Sequence, residues 1–159
     1  MMVFMAPGSS LLVRKMIKTQ AQIRTACFPD DYQAVYSLWS RAGPGIHVRR
    51  SDEPDEIAKK LSRDPDLFLV AEQAGQIVGS VLGGFDGRRG MVYHLAVDPA
   101  YRQNGIGSML MDELESRLHS KGCIRYYLLV TQDNEEAIRF YEDRGWERMQ
   151  LYIYGKDLI

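Results

Sequence analysis

The segment most suited to chemistry is a glycine-bearing turn that opens onto an amphipathic run. Gly105 and Gly107 lie at the start of that run, and Arg102 precedes them with a formal positive charge. A helix N-terminus presents unpaired backbone N–H groups and a partial positive charge, which together favour a phosphate. Glycines lack the Cβ atom that would keep a ligand away from the backbone. We therefore predict that the amides of residues 103–108 can cradle a phosphate compound, with a pyrophosphate as a suitable occupant.

This turn lacks the residues of two well-defined nucleotide motifs. A Walker A loop needs a Gly-Lys-Ser/Thr sequence, which is absent here. A dinucleotide fingerprint needs a third glycine, whereas Leu110 occupies that position. Two interpretations stay open on the glycines alone: a cradle outside both classes, or a tight strand-to-helix turn without a ligand.

A second candidate for a ligand-contacting surface lies later in the chain. Asn134 and Tyr141 are seven residues apart, about two helical turns, so they share a stripe with Ala137 nearby. Two polar groups beside a small residue suit a wall next to a ligand. The alternative is that Asn134 is only a helix N-cap and Tyr141 an amphipathic core residue.

The elements that would position these residues alternate between strands and helices. The pattern predicts the order β-α-α-β-β-β-α-β-α-β, beginning with a strand over residues 21–28 and closing with one over residues 147–158. Ile106, Leu110 and Leu114 recur at four-residue intervals and predict one helical stripe after the glycine turn. This order predicts a single α/β domain with a central meander.

Composition narrows the class of protein. The 159 residues carry a formal net charge of −1, which gives no support for a nucleic-acid or membrane-surface binder. Cys27 and Cys123 are far apart, so a disulfide framework is not expected and we predict a cytoplasmic location. Histidines and cysteines show no metal-ligand spacing, and no metal is expected. Residues 1–16 are predicted to be an N-terminal extension and residues 17–159 the domain.

Two motifs resemble those of the GNAT superfamily of N-acetyltransferases. The signature [QR]-x-x-G-x-[GA] corresponds to RQNGIG at residues 102–107, which follows the apolar strand residues 95–97. A second element, NEEAIRFY at residues 134–141 followed by Gly145-Trp146, lies at the distance expected in that family. The resemblance covers roughly residues 21–158, and within the family it is most like the YpeA-type subgroup of small bacterial acetyltransferases.

The resemblance implies a fold and a donor. It implies a GNAT fold of the α/β (α+β) class, with a mixed, mostly antiparallel central sheet of about six to seven strands. Four helices would flank this sheet, and strands four and five would splay apart. It implies acetyl-CoA as cosubstrate. The residues implied to contact coenzyme A are Leu95, Ala96, Val97, Arg102, Gln103, Asn104, Gly105, Ile106, Gly107, Ser108, Asn134, Ala137, Phe140 and Tyr141.

Two positions of the cradle depart from the family's usual pattern. Family members often have glycine at the position of Gln103 and a basic residue or glutamine at that of Asn104. Binding through the backbone survives both changes, although bulk and charge near the phosphates differ.

The resemblance also implies a reaction, in which an amine of a small molecule or peptide attacks the acetyl thioester directly. Tyr141 would act as general acid to the departing thiolate. One branch of the family carries a glutamate where this chain has Leu129, which cannot take a proton. Strand alternation predicts that Tyr93 lines the acetyl site on the face of Leu95 and Val97, with His94 packed or hydrogen-bonded on the other face.

Three expectations complete the functional hypothesis. Glu72 is a candidate base that would relay a proton through water. A non-catalytic acyl-CoA-binding sensor is the alternative function, because Leu129 removes the base of the related branch. An exposed closing strand would make a homodimer feasible through edge pairing.

Overall fold

The computed structural model describes residues 20–159, in which one five-stranded sheet is flanked by four α-helices. The predicted extension over residues 1–16 lies outside the described residues. The elements are β1 (Gln22–Thr25), α1 (Tyr32–Arg41), α2 (Pro54–Arg63), β2 (Phe68–Gln73), β3 (Gln76–Phe85), β4 (Gly90–Val97), α3 (Ile106–Ser120), β5 (Tyr126–Leu128) and α4 (Glu135–Asp143). The strands follow chain order across the sheet; β1 to β4 pair antiparallel, and β5 pairs parallel with β4.

The helices form a layer on each face of the sheet, which gives two apolar cores. On one face, α3 buries Leu110 and Leu114 completely against the strands, and aromatic residues of α4 pack at the edge of this core. On the other face, α1 buries Leu38 and Trp39 with strand residues such as Phe68. Apolar residues at helical spacing thus produce the three-layer arrangement, because each stripe loses contact with water only against the sheet.

The α3 stripe is expected to carry a large share of the stability. We expect Leu114→Ala to lower the free energy of unfolding by roughly 2–5 kcal/mol, because it leaves a cavity in a fully buried site. Leu158→Ala is the matched control: its side chain is 90% exposed, so a change within about 0.5 kcal/mol is expected. Urea unfolding of both variants measures this difference, and equal losses would contradict the assignment of the core.

A bulge interrupts the regular alternation of β4. Ser80 pairs with Ala96 and Leu82 with Tyr93, so one additional residue stands on β4 between these pairs. His94 lies there with φ +37°, a left-handed conformation that is uncommon outside glycine. Because the alternation is broken, consecutive residues of β4 can face the same layer.

The bulge corrects the predicted face of Tyr93. Leu95 and Val97 pack against the α3 core, as period-two alternation requires. Tyr93 instead lies beside Gly84 and the Lys60 side chain, on the α1/α2 face of the sheet. His94 contacts Trp39 on that same face. The prediction that Tyr93 shares a face with Leu95 and Val97 was therefore wrong, because it assumed a strand without an added residue.

The predicted splay between strands four and five is confirmed. β4 and β5 pair at only three positions, the last of which joins Val92 to Leu128, while β4 continues to Val97. Beyond Val92, the edge of β4 that faces β5 therefore lacks a strand partner within the described residues. The resulting gap opens toward the glycine turn.

The predicted strand count was too high, because the closing strand is absent from the described structure. Residues 147–159 have no assigned helix or strand, which leaves five strands rather than six to seven. Leu151 is 73% exposed and Tyr152 90% exposed, so the segment lies against neither core. Strand propensity reflects packing against neighbours, and an alternating apolar pattern forms no strand where no ladder is made. No helix within residues 20–159 is both long enough and apolar enough to traverse a membrane.

Candidate active site

The glycine turn presents a row of backbone donors at the N-terminus of α3. Gly105 takes φ +76° and Gln103 takes φ +60°, so the chain turns sharply into the helix. The N–H groups of residues 103–108 donate no hydrogen bond within the described part of the chain; the first helical bond runs from Met109 N to the Gly105 carbonyl. Unpaired amides and the positive end of the α3 dipole fit an anionic pyrophosphate at this turn.

The two glycines have different roles. A Cβ on Gly105 would meet no atom within 4 Å, so packing does not require a glycine here. The left-handed φ favours glycine, and the missing Cβ keeps the space beside the turn open. A Cβ on Gly107 would lie 3.4 Å from the Phe140 ring and 3.8 Å from Val97. Gly107 therefore lets α4 approach the start of α3 closely, while Gly105 makes the turn.

Polar side chains of the turn are used to shape it. Arg102 donates from Nε to the Val97 carbonyl at 3.3 Å and from its guanidinium to the Ala42 carbonyl, which ties the turn to the loop after α1. Asn104 donates to the carbonyls of Tyr101 and Arg102 at 3.0 and 3.1 Å. Their side chains thus hold the backbone in place, which leaves the main-chain amides of the turn free to bind a ligand.

The remaining predicted contact residues surround the gap in different ways. Ile106 and Ala96 are each 2% exposed, so only their backbone is available to a ligand. Ser108 and Phe140 are half-buried at the N-terminus of α3 and on α4. Asn134 is the N-cap of α4, and its side chain accepts a hydrogen bond from Ala137 N at 3.1 Å. This is the capping role that the sequence left open as an alternative to ligand contact. The amide nitrogen of Asn134 lies against Gly45.

The Tyr141 side chain is packed through its ring, while its hydroxyl stays unbonded within the described residues. Its ring packs edge-on against Phe140 and Trp146, with ring centroids 5.1 and 5.5 Å away. Its hydroxyl has no hydrogen-bond partner among residues 20–159 and is not sealed from solvent. Burial raises the pKa of Tyr141 to about 12, with a smaller opposing effect from Arg144. The side chain therefore stays protonated at neutral pH and can donate a proton.

Tyr93 borders a cavity of about 450 Å³ on the α1/α2 face. Burial raises the pKa of this tyrosine, and the nearby Asp64 carboxylate adds to the effect, so it also stays protonated near neutrality. The cavity lies between the end of α2 and the β3–β4 hairpin, and its other lining residues include Lys60, Arg63, Asp64, Phe85, Arg89 and Tyr127. Salt bridging between Lys60 and Asp64 at 2.5 Å neutralises part of that lining.

Glu72 lies on β2, which β3 separates from β4, and is held in an ion pair. Its carboxylate accepts from Arg24 Nε at 2.8 Å, and the same guanidinium binds Asp31. The structure therefore does not bring Glu72 together with the glycine turn or with Tyr141. Leu129 follows β5 at the gap and is 63% exposed, and its side chain has no ionisable group.

We expect Glu72→Gln to leave turnover nearly unchanged. The substitution removes a half-exposed ion pair, which is worth at most about 1 kcal/mol of stability. kcat at pH 7 should stay within about threefold of the wild type, because general acid–base groups contribute at least about 100-fold. A larger loss of kcat with an unchanged melting temperature would restore Glu72 as the base.

A histidine–aspartate pair lies at the β4 bulge. The prediction that His94 is packed or hydrogen-bonded on the face opposite Leu95 is confirmed, but the sequence did not identify Asp52 as its partner. His94 Nε2 lies 2.8 Å from Asp52 Oδ1, and the Asp52 carboxylate also accepts from Arg49 N at 2.8 Å. The imidazole lies 4.8 Å from the Trp39 ring, centroid to centroid. The partners are 42 residues apart and meet through the loop between α1 and α2, so the sequence carried no local signal for the pair. The described residues contain no cluster of three or more potential metal ligands.

Comparisons with known proteins agree with this arrangement. The family model described as "Acetyltransferase (GNAT) family" matches residues 32–146. An acetyltransferase of Pectobacterium atrosepticum is 44% identical over 131 residues, covering 82% of this chain and 91% of its own length. The structure of Ard1 from Thermoplasma volcanium is 29% identical, with a TM-score of 0.69 over 79% of this chain and 82% of that one. The PaiA N-acetyltransferase from Thermoplasma acidophilum, solved with coenzyme A, shares the fold at 19% identity, with a TM-score of 0.70 over 83% of this chain and 92% of that one.

Proposed function

Because this chain belongs to the acetyltransferase (GNAT) family, we propose that it moves an acetyl group from acetyl-CoA directly to a primary amine of a small molecule or peptide. One observation supports acetyl-CoA as the donor. The unpaired amides of residues 103–108 lie at the open end of the gap between β4 and β5. An anion bound there would leave a linear arm free to enter the gap beside an unpaired strand edge.

The residues of β4 and α3 would divide the binding of acetyl-CoA between them. Amides at the start of α3 would hold the pyrophosphate, with the helix dipole adding attraction. Backbone groups of Leu95 and Val97 would pair with the amides of the pantetheine arm, as an added strand pairs with a sheet edge. Asn134 and Phe140 would border the arm from α4. The donor supplies the activated acetyl group, and the protein positions it.

Tyr141 would return a proton to the leaving sulfur. A free thiol has a pKa near 8.5, whereas the pKa of Tyr141 is raised to about 12, so the protonated tyrosine is present throughout the neutral range. Because its hydroxyl has no partner within residues 20–159, donating its proton breaks no existing hydrogen bond there. This availability supports the role of general acid.

The acceptor would approach from the α1/α2 face. The cavity beside Tyr93 lies on that face, whereas the glycine turn and α4 lie toward the other one. An amine must lose a proton before it attacks. At pH 7 this costs about 4.6 kcal/mol for a lysine-type amine and about 1 kcal/mol for an α-amine. A lysine-type acceptor therefore needs a base, and an α-amine needs little help.

Two measurements together test the proposal. Titration calorimetry should detect coenzyme A binding, and a panel of amines with acetyl-CoA should release free thiol with at least one acceptor. Binding without turnover for any amine would instead support a non-catalytic acyl-CoA sensor, which the exposed Leu129 favours. Absence of coenzyme A binding would overturn both functions.

Two further expectations stay predictions. A cytoplasmic location rests on cysteine usage and composition. A homodimer through residues 151–158 rests on the exposure of that segment and on the edge of β5 that has no strand partner within residues 20–159. Sedimentation of the full chain at several concentrations measures the second directly.

A further inference from the structure

The His94–Asp52 pair at the β4 bulge has a geometry suited to taking a proton from the acceptor. We infer that His94 is the base that deprotonates the attacking amine and that Asp52 positions it, an inference that rests on the acetyltransfer proposed above. The two side chains meet at 2.8 Å. The Asp52 side chain is 6% exposed and that of His94 20% exposed, so the carboxylate is enclosed while the imidazole keeps partial access to solvent.

Asp52 fixes which imidazole nitrogen is free. A carboxylate only accepts hydrogen bonds, so the proton of a neutral His94 lies on Nε2 and points at Asp52. The lone pair then lies on Nδ1. Within residues 20–159 this nitrogen has no hydrogen-bond partner, and it is not fully buried. It is therefore open to accept a proton, directly or through a water molecule.

His94 lies at the level of β4 where the gap begins. β4 and β5 stop pairing after Val92, and His94 is the second residue beyond that point. His94 contacts Trp39 on the α1/α2 face, and the added residue puts Tyr93, which lines the cavity, on that same face. A strand without the added residue would not put Tyr93 and His94 on one face. The imidazole thus lies on the face proposed for the acceptor, beside Tyr93 in sequence and two residues beyond the last β4–β5 pair.

Other candidate groups near this place are less suited to accept a proton. Tyr93 has a raised pKa and is protonated at neutral pH, so it is a donor. Glu72 is engaged by Arg24, and Leu129 has no ionisable group. Elements packed against His94 contribute the uncharged ring of Trp39 from α1 and the Asp52 carboxylate from the segment before α2. Of these groups, the imidazole combines a free lone pair with partial exposure on the face proposed for the acceptor.

The proton balance of the step is complete. The ammonium of the acceptor gives one proton to Nδ1 of His94, and the resulting imidazolium is stabilised by Asp52. The neutral nitrogen forms a bond to the acetyl carbon, and the carbon–sulfur bond breaks. The sulfur takes the proton of Tyr141, and the second proton leaving the nitrogen restores Tyr141. His94 releases its proton to solvent, so the products are an amide, a thiol and one proton.

A pH-resolved comparison of variants tests the role. With a lysine-type acceptor from the amine screen, only about one amine in 2,500 is neutral at pH 7, so a missing base is costly. We expect His94→Gln and Asp52→Asn to lower kcat about 100-fold and about tenfold at pH 7. The deficit of His94→Gln should shrink by roughly tenfold per pH unit toward pH 9, as the amine loses its proton unaided. His119→Gln, at an exposed position of α3, should keep wild-type kcat.

The outcomes separate this inference from its premise. A deficit in His94→Gln that stays constant with pH, or that comes with a coenzyme A Kd changed as much as kcat, indicates a structural role and overturns the assignment. If the wild type acetylates no amine, the proposed function fails instead. Nitrogen-15 NMR of the unliganded protein is independent of activity: it should show the neutral imidazole of His94 protonated at Nε2. A proton on Nδ1 would overturn the inference even in an active enzyme.

Discussion

Replacing Tyr141 with phenylalanine is expected to lower kcat by about 100-fold while the Kd of coenzyme A stays within about twofold. The change removes only the hydroxyl that would protonate the leaving thiolate, a contribution typical of general acids. The ring contacts with Phe140 and Trp146 are retained. Thiol release under saturating acetyl-CoA measures kcat, and titration calorimetry measures the Kd.

Tyr126→Phe is the matched control for this change. Tyr126 belongs to the same aromatic cluster, 4.5 Å from Trp146 between ring centroids, and its hydroxyl is already bonded to Glu115. Its loss should lower stability and leave kcat within about threefold. An equal fall of kcat in both variants would show that disturbance of the cluster, rather than loss of an acid, explains the Tyr141 result.

The raised pKa of Tyr141 also fixes the sign of a pH effect on stability. The folded state holds this proton up to about pH 12, whereas an unfolded tyrosine loses it near pH 10. Between these values the unfolded state binds fewer protons, so stability falls as pH rises, by at most about 1.4 kcal/mol per unit from this group. Tyr141→Phe should flatten the decline, and activity below pH 10 should show no loss from ionisation of this residue.

The Gly105→Ala variant is expected to weaken coenzyme A binding by tenfold or more. A Cβ at this position meets no protein atom within 4 Å, so it would project into the open space in front of the cradle. The left-handed φ of +76° adds backbone strain of about 1–2 kcal/mol. These two costs have different targets: the strain lowers stability, and the projecting methyl group obstructs the ligand.

Gly75→Ala separates the two costs. Gly75 takes φ +75° in the turn between β2 and β3, and a Cβ there also meets nothing within 4 Å. Both variants should lose similar stability in urea unfolding, while only Gly105→Ala should change the Kd of coenzyme A. If neither variant altered that Kd, the cradle would not be the pyrophosphate site.

The sequence predicted what depends on local patterns. The glycine turn, the helical stripe of Leu110 and Leu114 and the order of elements up to α4 all follow from spacing within one segment. The GNAT motifs at residues 102–107 and 134–141 led to the same order and to the splay between β4 and β5. Each of these features is determined by neighbouring residues or by a signature of fixed length.

What the sequence could not predict depends on long-range register. The bulge at His94 reversed the predicted face of Tyr93, because period-two alternation contains no signal for an added residue. The contact between His94 and Asp52 depends on the loop between α1 and α2, which brings together residues 42 positions apart. Residues 147–158 have an alternating apolar pattern, yet a strand also requires a partner, which the pattern alone does not supply.

The short ladder between β4 and β5, which pairs at only three positions, also links the stability of this protein to its ligand. A ligand in the gap would pair with the part of β4 that β5 leaves unpaired, so it would stabilise the folded state as well as take part in the reaction. A ligand that binds only the folded state adds about 2.7 kcal/mol of stability at 100 times its Kd. The lifetime of this chain against heat and proteolysis would then follow the supply of acyl donor, coupling protein abundance to metabolic state.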